Sequence, residues 1–485
     1  MWQVIEGSTK SLDDVTALLR RLDALKQHPA ALARSAFVGG RDVVVARAPS
    51  TVDLMGGTVA SAGVRSLEWA LGEGALVALQ RDDERMLRLV APRRQRPNEA
   101  DVLELPLSLL ERGDTPAPYE ALRDYFARRD DRQWAAPLTG LVLALMREHD
   151  VRFKEGLRLL IDGPPVPGPD LAASSSTVAA TACALFASIY RPLHVRPIAQ
   201  LVQKAMWAVA GRPASLAEAV GALATATGHV LPVKALSGDP GGAVELPASL
   251  TIFALVPRQA DAVAPAALAR LQTAAVMGYR IAAQIAALPT RELAGGRVHV
   301  ADARWRGQLG LMTESDLTTV VPQLPDAIDG ASFLRDYQGV AQRGWRIEPD
   351  TRYRVRAAAS LAVREQQRVE ALEALIARPT TTADLSTLRQ LMRSSSTDIV
   401  DLVEPASDVR AVLSELNGPG ASTDIVGARL GFYSGGPAVV VLAAASARAR
   451  LEALWPGAWV LGGSSPGATT FGHVRLRSIR TAAAS

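Results

Sequence analysis

The sequence predicts an α+β protein that closes on a split βαβ unit, and three observations predict it. Short apolar runs suited to buried strands, such as "DVVVARA", alternate with longer stretches whose apolar residues recur at helical spacing. The end of the chain reads strand, turn, strand, helix, strand: "GARLGFY", a glycine-rich turn, "AVVVLAAA", "ARARLEALW" and "AWVLGG". That is the order of a split βαβ unit. A chain of 485 residues, 48% hydrophobic and 21% charged, can fill the cores of two packed domains.

Taken in order, residues 11–36 have apolar residues at helical spacing, with Ser11 as N-cap and a break at Pro29. They read as an N-terminal helical extension over 1–37. The strand "DVVVARA" follows, and "SLEWALGEGALVALQRD" reads as paired strands of a meander. "YEALRDYFARRDDRQWAAPLTGLVLALMREHDV" reads as a helix, a break, and an apolar helix broken near Pro137. "GLRLLIDGPPV" is a strand entering a Pro/Gly loop, and the small-residue helix "SSSTVAATACALFASIY" begins straight after that loop. The Gly/Pro content of "GHVLPVKALSGDPGGAVELP" sets a boundary, giving domains over 38–240 and 241–485. Beyond it, strand "LTIFALVPR" leads to helix "LARLQTAAVMGYRIAAQIAAL", helices fill 358–378 and 384–403, and the βαβ unit ends the chain.

Several function classes are set aside by composition. No apolar run approaches the roughly 18–20 residues of a membrane span, and "MWQVIEGSTKSLDD" shows no secretory leader. The single cysteine, Cys183, excludes an internal disulfide and a multi-cysteine metal site. A cytoplasmic protein is expected. The net charge of +4 is spread among interspersed acids and bases without interleaved aromatics, so no nucleic-acid partner is expected. The six histidines lack paired metal spacing, and the serine run is not a G-x-S-x-G elbow.

Three loops offer chemistry. In "ARAPSTVDLMGG", Asp53 with Gly56 and Gly57 suits a polyol held by a carboxylate close to bare backbone; it suits equally a turn whose aspartate bonds its own backbone. In "PPVPGPDLAASSSTVAATACAL", a small-residue loop opens a helix, which fits either a phosphate at the helix N-terminus or a plain serine cap. In "GARLGFYSGGPAVVV", the glycines admit a ligand or make a hairpin.

In this order the three loops resemble the three motifs of the GHMP small-molecule kinases, most of all the galactokinase and L-arabinokinase branch. "ARAPSTVDLMGG" resembles that branch's first motif, and "YFARRDDRQWAAPLTGLVLALMREHDVRF" the segment before its phosphate loop. "VMGYR" at 276–280, "YRVRA" at 353–357, "GARLGFYSGG" at 427–436 and "GSSPGATTFGHVRLR" from Gly463 follow in place. The likeness covers Val43 to Arg477. It implies the GHMP kinase fold, an N-terminal ribosomal-S5-like α/β domain and a C-terminal ferredoxin-like domain. The cleft between them passes the γ-phosphoryl of ATP, with Mg2+, to the anomeric hydroxyl of a monosaccharide.

Carried over residue by residue, the resemblance gives a mixed site. Asp53, Gly56 and Gly57 fall at sugar-binding positions, and Gly168, Ser174, Ser175, Ser176, Gly435 and Gly436 at nucleotide-binding ones. Glu218 falls at the general base. Against these, the first motif's arginine is Thr51, its glycine Ser50, and the second sugar-binding aspartate Ala60. Asp170 stands at a phosphate-loop glycine, with Ala172 and Ala173 at loop serines unless the run is slid onto Ser174–Ser176. The magnesium-binding glutamate is Val178 or Ala180, and no residue is assigned to a metal. The third motif's glycines become Gly431, Phe432 and Tyr433, or shift to Gly435 and Gly436 before Pro437. ATP and Mg2+ are implied by resemblance only. Two readings stay open: a sugar kinase with divergent loops, or a kinase-like protein with phosphotransfer weakened or lost that binds a sugar or a protein partner.

Overall fold

The computed structural model describes residues 2–93, 96–163, 174–212, 214–258, 263–293, 297–342, 345–378, 381–434 and 436–479. One 14-stranded sheet runs through the molecule. From the first half it takes β1 (Trp2–Glu6), β2 (Val43–Met55), β3 (Arg65–Asp82), β4 (Met86–Pro92), β5 (Ala100–Pro106), β6 (Gly156–Asp162) and β7 (His229–Lys234). The second half supplies β8 (Thr251–Pro257), β9 (Ile425–Tyr433), β10 (Gly436–Ala443), β11 (Ala458–Leu461) and β12 (His473–Ser478), and two-residue strands complete the count. The main path is β11-β8-β10-β9-β2-β3-β6-β4-β5.

The order β11-β8-β10-β9, antiparallel throughout, is the ferredoxin-like arrangement that the closing strand-helix pattern predicts. Helix Pro265–Ile285 follows β8 and the short helix Arg448–Leu454 joins β10 to β11. The expected α+β class is what the chain adopts.

β2 ties the halves together. Its 13 residues are all buried, which is why the run is valine- and alanine-rich rather than alternating. It pairs with β3 along most of its length, with irregularities between Pro49 and Thr51 and between Asp53 and Met55. β9 meets β2 through a single pair, Tyr433 with Val52. The two sub-sheets therefore join beside the first bulge, where Ser50 and Thr51 sit. β12 returns from the end of the chain to pair with both β1 and β2.

Some local expectations are corrected. The meander over 66–82 is one continuous 18-residue strand. Gly74, which looked like part of a turn, is small because it crosses β2: a Cβ there would lie 2.5 Å from the Ala48 carbonyl oxygen. Pro137 does not break a helix but starts one, at the first turn of Ala136–Glu148, where its missing N–H costs nothing. The first helix spans Asp13–Asp23 with Leu12, not Ser11, at its N-cap, and the strand β1 precedes it. Val15, Leu18 and Leu22 line one face of that helix and pack against Val43, Val45, Leu76 and Leu476. Among the described residues, no helix is long and apolar enough to cross a membrane.

Candidate functional site

The first motif is built into β2 and the turn after it. Asp53 is buried, and its Oδ1 accepts a hydrogen bond from the Gly57 N–H at 2.8 Å. Its Oδ2 accepts from Arg429 Nη1 at 3.0 Å. Both glycines are dictated by crowding. Gly56 has φ +98° and a Cβ there would stand 1.9 Å from the Arg65 carbonyl oxygen, while a Cβ on Gly57 would stand 2.5 Å from Asp53 Cγ. The aspartate thus bonds its own turn, and its second oxygen is taken by a cation from β9.

That cation organises the centre of the molecule. The Arg429 guanidinium is fully buried. Nε donates to Ser395 Oγ at 3.2 Å, Nη1 also donates to the Asp53 carbonyl at 3.1 Å, and Nη2 donates to Thr58 Oγ1 and Glu365 Oε1, each at 3.2 Å. Glu365, equally buried, accepts from Ser395 Oγ at 2.8 Å and pairs with Arg368 at 3.1 Å. A buried pair persists when its remaining donors and acceptors are satisfied, and here they are. The sequence reading passed over Arg429, Glu365 and Ser395; a lone arginine inside the apolar run "VGARLGFY" was the available signal.

A second group gathers where β2, β9 and the helix Ser175–Ser188 converge. Ser174 caps that helix: its Oγ accepts from the Thr177 N–H at 3.2 Å and shares a hydrogen bond with the Ser176 hydroxyl at 3.1 Å. Ser176 reaches Ser434 Oγ at 3.4 Å, and Ser434 Oγ accepts from the Thr51 N–H at 3.3 Å. Ser50 shares a hydrogen bond with the Tyr433 hydroxyl at 3.2 Å. Described residues of all three segments singled out in the sequence, Ser50–Thr51, Ser174–Ser176 and Tyr433–Ser434, therefore meet. Ser434 was not anticipated, and it is the link between them.

Glu218 lies in the first turn of helix Leu216–Ala224 and bonds the Ser175 hydroxyl. Its Oε1 is buried without a hydrogen-bond partner among the described residues. Burial pushes its carboxyl up to about 7; Ser175 and Arg212 pull the other way, and Asp53 adds to the rise. Glu68, also missed by the sequence reading, faces Asp53 across the β2–β3 ladder and accepts from Ser66 Oγ at 2.6 Å. Burial, then the Asp53 and Glu218 carboxylates, raise it well above the ordinary glutamate range, against the Ser66 bond. Gly221 allows this approach, since a Cβ there would be 2.9 Å from Glu68 Cβ. Asp53, Glu68 and Glu218 thus form one carboxylate neighbourhood under the helix N-terminus.

The remaining expected positions divide. Gly436 opens β10 opposite Tyr433, and Gly168, Gly435, Asp170, Ala172 and Ala173 lie outside the described residues. Ala60, Val178 and Ala180 are buried apolar positions. Phe432 pairs with Pro437, and the void these two share with Thr58, Leu430 and their neighbours is about 10 Å³, room for at most one water. No three His, Cys, Asp or Glu side chains converge as a metal-binding group among the described residues. Asp53 is already paired with a guanidinium, and Glu68 and Glu218 are biased toward their protonated forms. These side chains do not make a ligand set fitted to magnesium.

No protein-family model matches the chain. A crystal structure of Lactococcus lactis galactokinase complexed with galactose superposes with a TM-score of 0.64 at 13% identity, covering 92% of this chain and 98% of that one. A Methanococcus jannaschii mevalonate kinase gives a TM-score of 0.49 at 13% identity, covering 87% and 98%. L-arabinokinase of Arabidopsis thaliana is 23% identical over 540 residues, which take in 98% of this chain and 52% of that protein. The chain therefore spans about half the length of that relative. The fold is that of the GHMP small-molecule kinases. The sequence likeness to that L-arabinokinase runs through almost the whole of this chain.

Proposed function

We propose that this chain is a galactokinase- and arabinokinase-like protein whose cleft frames a small sugar, with transfer of phosphate from ATP weakened or lost. The observation that carries the reading is the commitment of Asp53. Its carboxylate is buried and bonded to Gly57 and Arg429 inside the protein rather than open to a hydroxyl from solvent. Three further features support it. Thr51, where family members place a charge-stabilising arginine, is buried and bonded to Ser434, and losing one transition-state donor typically costs roughly 10²- to 10³-fold in rate. The helix after Ser174 has no carboxylate from Ser175 to Ser188. Phe432 and Pro437 stand opposite each other in the third motif, and the void they line is only about 10 Å³.

The test is binding of Mg-ATP, followed by thermal shift with galactose, arabinose and other monosaccharides present. Little or no shift is expected with nucleotide, because a ligand stabilises only as its concentration exceeds its Kd.

One observation favours a second reading, an active sugar kinase with Glu218 as base. The Glu218 carboxyl sits against Ser175 with one oxygen unpartnered, and a group near 7 is suited to taking a proton from a hydroxyl. Under that reading a monosaccharide is phosphorylated, and Glu218→Gln removes turnover while nucleotide affinity is kept.

A further inference from the structure

Away from the motif loops, a cavity of roughly 390 Å³ opens between helix Pro265–Ile285, the hairpin strand Arg297–Val300 and the loop that follows it. That volume falls within the roughly 300–1,000 Å³ typical of small-molecule sites. Its wall includes Tyr279, His299, Asp302, Arg306 and Gln342. Asp302 is a scaffold rather than a free ligand. Its carboxylate accepts from the N–H groups of Arg304 at 2.9 Å, Trp305 at 2.8 Å and Gly307 at 2.9 Å, and from the Tyr279 hydroxyl at 2.8 Å. Those four bonds fix the loop and leave its acceptor capacity spent.

The groups that remain are donors and one orphan. Arg306 makes no ion pair among the described residues, and it is held at φ +52° beside Gly307 at φ +81°. Left-handed backbone at a non-glycine residue costs free energy and concentrates at ligand clamps. His299 is exposed and has no hydrogen-bond partner among the described residues. Gln342 Oε1 is buried without a partner among the described residues. One residue along the helix from Tyr279, Arg280 is buried with Nε and Nη1 unpartnered among the described residues, its guanidinium lying 5.6 Å from the Tyr337 ring centroid. A buried cation without a paired anion is unfavourable, and the one carboxylate of the wall, Asp302, is bonded to its own loop and Tyr279 rather than to Arg306 or Arg280.

We infer that this cavity is a second ligand site, separate from the kinase-like cleft, for a small polar molecule bearing an oxyanion, phosphate or carboxylate. Arg306 and His299 bind the oxyanion and Gln342 accepts from a hydroxyl or amide of the same molecule. The loop under the cavity continues to Gly310, where a Cβ would be 2.8 Å from the Gly63 carbonyl oxygen. The site therefore backs onto the turn that follows Asp53 without including it.

The test is calorimetric titration of the full chain with inorganic phosphate, with acetate, and with chloride at matched ionic strength. Saturable binding of phosphate or acetate above the chloride control is expected, and whichever binds identifies the oxyanion. Arg306→Ala and His299→Ala, both at exposed positions, should each weaken it about tenfold or more. Ser176→Ala, in the cleft, should leave it unchanged. Absence of saturable binding by either oxyanion, equal binding by Arg306→Ala, or loss with Ser176→Ala alone would overturn the assignment.

Discussion

Arg429 donates to Asp53 across 3.0 Å, from the strand of the third motif to the strand of the first, with both side chains out of solvent. The same guanidinium holds Glu365 at 3.2 Å. One cation thus neutralises two buried carboxylates and joins the halves of the sheet. Truncating it leaves Asp53 with no cation beside it and Glu365 with Arg368 alone. Arg429→Met is expected to cost roughly 3–5 kcal/mol of stability, measured from urea unfolding midpoints. A loss below about 1 kcal/mol would mean that the pair behaves as a surface bridge and does not organise the cleft.

The carboxylate neighbourhood sets a pH dependence whose sign follows from Glu218. Its carboxyl is pushed up to about 7 in the folded chain, whereas an unfolded glutamate titrates near about 4.3. Between those values the folded chain keeps a proton that the unfolded chain has released. Stability is therefore greatest at the acid end of this window, falls as pH rises through it, and levels off above about 7. Glu68, also raised by burial, adds a fall of the same sign. Glu218→Gln should flatten the curve by at most about 1.4 kcal/mol per pH unit, read from unfolding midpoints between about pH 5 and pH 8. An unchanged slope would show that Glu218 is hydrated in the folded state.

The double glycine gives a backbone prediction. Gly56→Ala places a Cβ 1.9 Å from a carbonyl oxygen at φ +98° and should destabilise by about 1–3 kcal/mol or more. Gly57→Ala strikes the Asp53 side chain instead, which can move. It should cost less stability but displace Asp53 from Arg429. Melting temperatures of the two variants separate the effects, and equal losses would contradict the distinction.

A change at the sub-sheet junction tests the link between loops. Ser434→Ala removes the oxygen that joins Thr51 to Ser176. Leaving the buried Thr51 N–H unpaired should cost roughly 1–3 kcal/mol and expose the Ser50–Val52 amides to faster hydrogen exchange. Exchange unchanged there would mean that water replaces the hydroxyl.

Much of the fold was legible because it rests on patterns within single segments. The apolar runs at 42–48, 250–258 and 438–445 fall in the strands Val43–Met55, Thr251–Pro257 and Gly436–Ala443, and the helical spacing at 268–288 overlaps the helix Pro265–Ile285. The closing βαβ order gave the ferredoxin-like sheet. Errors came where a glycine or proline served a distant contact: Gly74 crossing Ala48, and Pro137 starting a helix. The site was less legible. Motif order located Asp53, Ser174 and Glu218, and the structure places them close together. Arg429 and Glu365, 64 positions apart in sequence, are joined only by tertiary packing, and Glu68 is defined by a cross-strand neighbour. No spacing rule encodes such partners.

The central proposal is that, with the first-motif aspartate bound to Arg429, phosphotransfer from Mg-ATP to a sugar is weakened or lost. Calorimetric titration with Mg-ATP in the presence of galactose or arabinose, with the sugar recovered and assayed for phosphate, tests it most directly. The account predicts no saturable heat and no sugar phosphate. Saturable nucleotide binding accompanied by a phosphorylated sugar would contradict it and establish a working kinase with Glu218 as the residue to examine first.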